Sequence, residues 1–233
     1  PSGHEIRGWL SIARGMDKPP IKDMPWQEYA FQKMAEANPF PSIMGRVCPA
    51  PCEDGCNRNA LDDFVGINAV EQYVGDWAIE NEVKLSGPEV ETGKTVAIVG
   101  GGPGGLAAAF KLRRLGHSVT IFESQKKLGG MMVYGIPGFK LEKDVVERRV
   151  KLLEEGGVVM HTEFEVGRDA TLEDLRKKHD SVLIATGVYK ARELKLPGAG
   201  LENVYPALEY LTTSNRHGLG DKVPAYEDGT LNA

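Results

Sequence analysis

Val96-Ala97-Ile98-Val99-Gly100-Gly101-Gly102-Pro103-Gly104-Gly105-Leu106 is the stretch that decides the fold. The unbroken apolar run from Thr95 to Val99 reads as a buried strand. The glycines after it spell G-x-G-x-x-G at the entrance to a helix expected over Pro103–Leu115, which Gly116 ends. Gly100 permits the tight turn, Gly102 lets backbone N–H groups approach a pyrophosphate, and Gly105 lets the helix pack closely on the strand. The helix N-terminus adds partial positive charge and donors without intrahelical partners, so Pro103 and Gly104 share in the same phosphate cradle. A second strand, Ser118–Glu123, ends in an acid 23 positions after Gly100, where a ribose-binding carboxylate is expected. An acid there accepts from ribose hydroxyls and repels a 2′-phosphate. The site therefore suits FAD or NAD and disfavours NADP.

Working outward, strands and helices alternate. A helix is expected over Leu141–Glu155 with Gly156-Gly157 as its stop, and a strand over Val158–Thr162. A short helix follows over Thr171–His179 with a Thr171-x-x-Asp174 capping signature, then a buried strand over Ser181–Thr186. Continuous apolar strands in this alternation argue for a parallel sheet covered on both faces. Two features favour FAD over NAD. Leu128-Gly129-Gly130 follows the second strand, where a long cofactor needs backbone clearance at Gly130. Val182-Leu183-Ile184-Ala185-Thr186-Gly187 resembles the second flavin fingerprint of the flavoproteins with two dinucleotide-binding domains, and places Ala185, Thr186 and Gly187 near the flavin. By itself that run would read as an ordinary core strand with a glycine stop.

Upstream the pattern is helical and interrupted. Asp23 is placed to cap a helix from Met24 to about Ala37, stopped by Asn38-Pro39. A second helix is expected from about Gly66 to Asn81. Leu85–Gly93 mixes Gly, Pro and acids without periodicity and reads as a linker. The fold expected is α/β: an amino-terminal all-helical domain over residues 1–88, then a Rossmann-like parallel-sheet domain over residues 89–233. Between the two upstream helices lie Cys48-Pro49-Ala50-Pro51-Cys52-Glu53-Asp54-Gly55-Cys56, the only cysteines of the chain. The prolines leave a stiff loop. Thiolates converging on one loop suit zinc or an iron–sulfur cluster, although zinc would want a fourth ligand and no histidine is near. In the second helix, Ile67, Val70, Val74, Trp77 and Ala78 form an apolar stripe with Glu71 inside it. A buried carboxylate needs a partner. Either a metal cluster or an ion pair with Arg46 or Arg58 would supply one.

Composition narrows the classes. The 233 residues are 41% hydrophobic and 26% charged, ordinary for a globular protein. No apolar run approaches the ~18–20 residues of a membrane helix. A net charge of −5, with no basic block beyond Lys111–Arg114 and Arg148-Arg149, gives no support for nucleic-acid binding. Clustered thiols, with no signal peptide or lipidation motif, point to a reducing cytoplasm. The chain starts at Pro1 without Met and ends in a loop-like Gly229–Ala233, so a fragment is expected.

The whole resembles the small (beta) subunit family of NADPH-dependent glutamate synthase. The resemblance is carried by Gly45-Arg46-Val47-Cys48-Pro49, the glycine loop and Gly129-Gly130-Met131-Met132-Val133-Tyr134-Gly135-Ile136-Pro137. Phe139-Lys140-Leu141, Phe164–Asp169, Ala185-Thr186-Gly187 and Tyr210–Asn215 extend it. Related modules occur in dihydropyrimidine dehydrogenase and in the electron-bifurcating ferredoxin-NADP transhydrogenase. The resemblance implies a helical domain with two 4Fe–4S clusters, then a FAD domain into which an NADPH domain is inserted. It implies electron transfer from NADPH through FAD and the clusters to a partner, the large (alpha) glutamate synthase subunit or another acceptor protein. It implies Cys48, Cys52, Cys56 and Glu71 as cluster ligands. Gly100, Gly102, Gly105, Glu123, Met131, Lys140 and Val166 would contact FAD, with Ala185–Gly187 near the flavin. Further cysteines upstream, and a second G-x-G-x-x-G after Asn232 for NADPH, belong to the family pattern and are absent from these residues. Alternatives are an NAD(P)H:ferredoxin-type oxidoreductase subunit of the bifurcating kind and a cluster-bearing docking module without turnover.

Overall fold

The computed structural model describes residues 3–61, 63–84, 87–190, 195–201 and 204–231. Leu85 and Ser86 of the expected linker, and the last two residues of the loop-like end, lie outside them. Helix α1 (Ile6–Ala13) buries Trp9 and Ile12, and α2 (Trp26–Ala35) buries Ala30, Phe31, Met34 and Ala35. Asp23 does not cap α2. Pro25 stands at the cap with φ −58°, and Asp23 sits two residues earlier at φ +67°. A proline at the cap pushes the residue before it into extended backbone, which moves the helix start past Asp23. The chain then forms α3 (Pro41–Val47), α4 (Pro51–Asp54), a 3₁₀ turn over Asn57–Ala60 and α5 (Ile67–Glu80).

Helices α3 and α5 meet backbone to backbone. A Cβ on Gly75 would lie 2.1 Å from the Ser42 nitrogen, and one on Gly45 would lie 2.5 Å from the Gln72 Cβ. Polar groups lock this crossing: Arg46 Nη1 is 2.6 Å from Asp76 Oδ1 and donates to the Ser42 carbonyl at 3.1 Å. The buried face of α5 carries Ile67, Glu71, Val74, Gly75, Ala78 and Ile79, while Val70 and Trp77 are half-buried. The face is thus turned from the apolar stripe toward the glycine contact, with Glu71 inside it.

Two compact units divide the chain: Pro1–Gly87 with Asp144–Gly156, and Pro88–Lys143 with Gly157–Ala233. The division at 88/89 expected from the linker therefore misses that most of α8 (Lys143–Glu155) belongs to the first unit. Its Arg149 is 2% exposed. The guanidinium donates through Nε to the Pro39 carbonyl at 2.7 Å and lies over the rings of Phe31 and Phe40. Burial lowers its pKa to about 10, so it stays charged at neutral pH.

The second unit is a four-stranded parallel sheet in the order β3-β2-β1-β4, made of β1 (Thr95–Val99), β2 (Ser118–Phe122), β3 (Val159–His161) and β4 (Ser181–Ile184). Val99 pairs with Phe122 on one side and with Ile184 on the other. The carboxyl end of β1 is therefore the place where strand order reverses, which is where open α/β sheets bind ligands. Helix α6 (Pro103–Arg114) follows β1, and α9 (Leu172–Lys178) opens on the expected Thr171/Asp174 capping box. Short α7 (Met131–Tyr134), α10 (Ala207–Gly218) and α11 (Pro224–Glu227) complete the unit.

The central strands are buried. The expectation of full burial fails for β3 and β4: Val159 is 51% exposed and Ile184 is 61% exposed. Among the described residues both strands are sheet edges with one neighbour each. Leu175 of α9 packs with Ala97, Val99 and Phe122 rather than over Leu183 and Ile184.

Asp180 fastens the sheet at its amino end. Its Oδ2 accepts from the Thr95 N–H at 2.8 Å, and its Oδ1 from Lys94 Nζ at 3.0 Å. These bonds hold its pKa at about 2, below the ordinary 3.8. The folded value is depressed, so the stabilisation is complete above about 3.8 and is lost as pH falls through about 2. Asp180→Asn should flatten the acid limb of the stability curve in that window, read by urea titrations at stepped pH.

Candidate functional site

Backbone contacts shape the glycine loop. Gly100 sits at φ +107°, and a Cβ there would come 2.5 Å from the Ala185 carbonyl oxygen and 3.0 Å from Thr186 Cα. Gly100 N–H donates to the Phe122 carbonyl and Ala185 N–H to that of Val99, both at 2.8 Å. The tip of β4 is thereby pressed against the loop. A Cβ on Gly105 would lie 2.0 Å from the Gly100 oxygen, so α6 packs on the turn itself. Gly102 and Gly104 differ. No atom lies within 4 Å of a Cβ on Gly104, and the nearest to one on Gly102 is Gly130 Cα at 3.9 Å. Their missing side chains leave open space above a helix start whose first N–H groups have no intrahelical acceptor, the shape and polarity a pyrophosphate takes. Gly130, at φ +50°, passes so close to Gly102 that a Cβ would lie 2.8 Å from its Cα.

These elements surround a cavity of about 680 Å³. Gly100, Gly102, Pro103, Gly104, Glu123, Gly130, Met131, Val166, Ala185, Thr186 and Gly187 all line it. Gly105 and Lys140 do not. Gly105 is buried in the loop contact just described, and Lys140 is exposed. The lysine with structural work in this segment is Lys143, whose Nζ donates to the carbonyls of Met132 (3.1 Å) and Ile136. Burial lowers its pKa. The motif reading passed over Phe122, Ser124, Gln125, Phe164, Glu165 and Tyr189, which also line the cavity. The Phe122 and Phe164 rings sit 4.9 Å apart. Of these, Ser124 and Gln125 stand directly after the acid, and Phe164 and Glu165 lie in the Phe164–Asp169 stretch that carries the resemblance.

Glu123 is 8% exposed, and its Oε2 accepts the Gly101 N–H at 2.7 Å. Met131 is carried by α7, which α10 anchors: Asn215 Nδ2 donates to the Tyr134 carbonyl at 3.2 Å, and Arg216 lies over the Tyr134 ring. This accounts for the asparagine in the Tyr210–Asn215 stretch. Clearance at the glycines, a polar helix start and a buried acid in one cavity fit an adenine dinucleotide.

The thiols occupy a short segment of the first unit. Cys48 ends α3 and is exposed, Cys52 lies on α4, Cys56 follows it, and all three are free. Ala50, at φ +53°, turns its N–H onto Cys48 Sγ at 3.4 Å. Burial, and Cys48 nearby, push the Cys52 thiol up. Glu53 Oε1 accepts the Asn68 N–H at 2.8 Å and ties the segment to α5. Glu71 pairs with neither Arg46 nor a thiol. Its Oε1 accepts from Asn38 Nδ2 at 2.9 Å and lies 3.6 Å from His4 Nε2, while Arg46 is engaged by Asp76. Among the described residues no three His, Cys, Asp or Glu side chains gather into a metal-binding group. The segment is not the loop expected from its prolines, because Pro51 opens α4 at a position where a missing N–H costs nothing. Three free thiols within nine residues, one with an amide donor at its sulfur, suit an iron–sulfur cluster in donor chemistry, and a fourth ligand is not among them.

Residues 94–222, more than half of the chain, match the model of the pyridine nucleotide-disulphide oxidoreductase family, and the chain belongs to that family. Residues 21–83 match the model described as dihydropyrimidine dehydrogenase domain II, 4Fe-4S cluster. The chain is 52% identical to a glutamate synthase (NADPH) small chain of Azospirillum brasilense, over 88% of its own length and 44% of that protein's. It is 43% identical to the corresponding chain of Bacillus subtilis, over 82% of its length and 39% of that protein's. It thus spans less than half the length of these relatives. A solved structure of Mycobacterium tuberculosis FprA in complex with NADPH shares 24% identity over 54% of this chain and 29% of its own, with a TM-score of 0.47. Among the described residues no helix is long and apolar enough to cross a membrane.

Proposed function

We propose that the chain is part of an electron-transfer flavoprotein subunit of the glutamate synthase type, an NADPH-dependent oxidoreductase with FAD and 4Fe–4S clusters as its redox groups. The observation that carries this reading is the single cavity on which the glycine loop, Glu123 and Ala185–Gly187 converge. In this reading the open space at Gly102 and Gly104 takes the pyrophosphate of FAD, and the N-terminus of α6 supplies its donors. Glu123 accepts from a ribose hydroxyl. Gly130 and Met131 bound the cofactor on one side and Val166 on another, while Ala185, Thr186 and Gly187 bring the β4 tip alongside the flavin. FAD, when bound, supplies the exchange between hydride chemistry and single-electron transfer. Cys48, Cys52 and Cys56 hold cluster iron, with Glu71 as a further ligand once it leaves Asn38. The electron acceptor is a large glutamate synthase subunit, and the clustered free thiols support a cytoplasmic setting.

The test is an anaerobic absorbance spectrum with iron and sulfide assay, on this chain and on one extended to the length of its relatives. Flavin bands and a broad sulfide-to-iron shoulder, bleached by NADPH in the extended chain, are expected. Zinc without flavin or bleaching in the extended chain would overturn the redox reading.

A further inference from the structure

A ribose contact leaves most of the Glu123 geometry unexplained. The carboxylate is buried, and the protein's own backbone already engages both of its oxygens. Oε2 accepts the Gly101 N–H at 2.7 Å. Oε1 accepts the Gln125 N–H at 2.9 Å and the Ser124 hydroxyl at 3.3 Å. The Gly101 carbonyl accepts the Gly129 N–H at 2.8 Å. Both peptide groups flanking Gly101 are thus held, one by the end of β2 and one by the loop that follows it. Space at Gly101 is closed by the same groups: a Cβ there would lie 2.9 Å from Leu128 Cδ2 and 3.2 Å from Glu123 Oε2.

We propose that Glu123 is a positioning residue that builds the phosphate-binding turn before any nucleotide arrives, by accepting the Gly101 N–H. Consecutive glycines are the most mobile backbone a chain has, so an undirected turn would have to be ordered at the expense of binding. An ionised carboxylate is an acceptor at both oxygens, whereas an amide of the same size turns a donor toward either Gly101 N–H or Gln125 N–H. Of about four acceptor sites on a carboxylate, the backbone and Ser124 use three, which leaves one on Oε2 for a ribose hydroxyl. One group therefore serves both loop and ligand. The identity of the ligand rests on the flavin reading above; the loop geometry does not.

The test combines amide hydrogen exchange and ligand titration on the whole chain, unchanged and as Glu123→Gln. In the cofactor-free unchanged chain the Gly101 amide exchanges slowly. Glu123→Gln speeds it about tenfold or more, while Ala109 and Phe110 inside α6 stay protected. FAD and an FAD analogue whose adenosine lacks the 2′- and 3′-hydroxyls are then titrated, and the variant weakens both by a similar factor of about ten. A Gly101 amide exchanging at the unprotected rate in the cofactor-free unchanged chain overturns the proposal, and this result needs no variant. A variant that weakens FAD and leaves the deoxy analogue unaffected also overturns it, because Glu123 then acts through the ribose alone. A protected Gly101 amide, released by Glu123→Gln, in a chain that takes up no FAD sustains the loop role and removes the flavin reading.

Discussion

Gly100→Ala is expected to lose the flavin and about 2–5 kcal/mol of stability together. Two costs fall on one methyl group. The residue sits at φ +107°, where a side chain is strained, and its Cβ would stand 2.5 Å from the Ala185 oxygen. That oxygen cannot retreat cheaply, because the Ala185 N–H is bonded to the Val99 carbonyl at 2.8 Å. Relief would have to come from parting the β4 tip from the loop, which would open the cavity where the flavin is proposed to sit. Gly104→Ala is the matched comparison. No protein atom lies within 4 Å of its Cβ, and alanine favours the helix there, so stability should hold or rise. A methyl in the pyrophosphate space should still weaken FAD by about tenfold or more, the equivalent of ~1.4 kcal/mol. Thermal melts and flavin titrations of the two variants separate loop integrity from loop occupancy. Equal stability of both variants would contradict the geometry described for Gly100.

Gly75→Ala is the second large effect, in the first unit. Its Cβ would lie 2.1 Å from the Ser42 nitrogen, 2.6 Å from Ser42 Cα and 2.7 Å from the Pro41 carbonyl carbon, all backbone. Helix propensity would gain about 1 kcal/mol from the change. Forced separation of two packed helices costs about 1–3 kcal/mol or more and also pulls Ser42 and Arg46 from Asp76. A net loss of about 2 kcal/mol is expected, with faster amide exchange along α3 and α5. Unchanged exchange there would mean that the helices do not approach as closely as described.

The parts of this molecule legible in its sequence are those where local pattern and tertiary demand agree. The run Thr95–Val99, the glycine turn and Pro103 specify strand, loop and helix by themselves, and Glu123 follows as the end of the next strand. Thr171 and Asp174 form their capping box entirely within four residues. Asp23 looked like a cap, but Pro25, two residues on, moved the helix start. Elsewhere a distant partner decided the outcome. Glu71 was recognisable as a carboxylate needing a partner, yet Asn38 and His4, far off in the chain, gave no sign of being it. Leu183 and Ile184 read as core because an apolar run does not reveal whether its strand is central or at an edge. Helix α7 is too short to show a period, and α10 buries Asn215 while its Leu208 and Leu211 stay half-buried. The second task of Glu123 was invisible because main-chain donors leave no trace in a sequence.

Helix α8 has a consequence for how this chain divides. The polypeptide leaves the sheet unit after Lys143, contributes Asp144–Gly156 to the helical unit, and returns at Gly157. The helical unit is therefore not a bead that a gene could gain or shed by a cut at one point. A piece ending at Gly87 would leave Phe31, Phe40 and the Pro39 carbonyl facing the place where the Arg149 guanidinium belongs. The sheet unit alone would have to close the gap between Lys143 and Gly157 in its own backbone. Whatever history joined the two units, they are now spliced rather than strung, and each carries in its reading frame an obligation to the other.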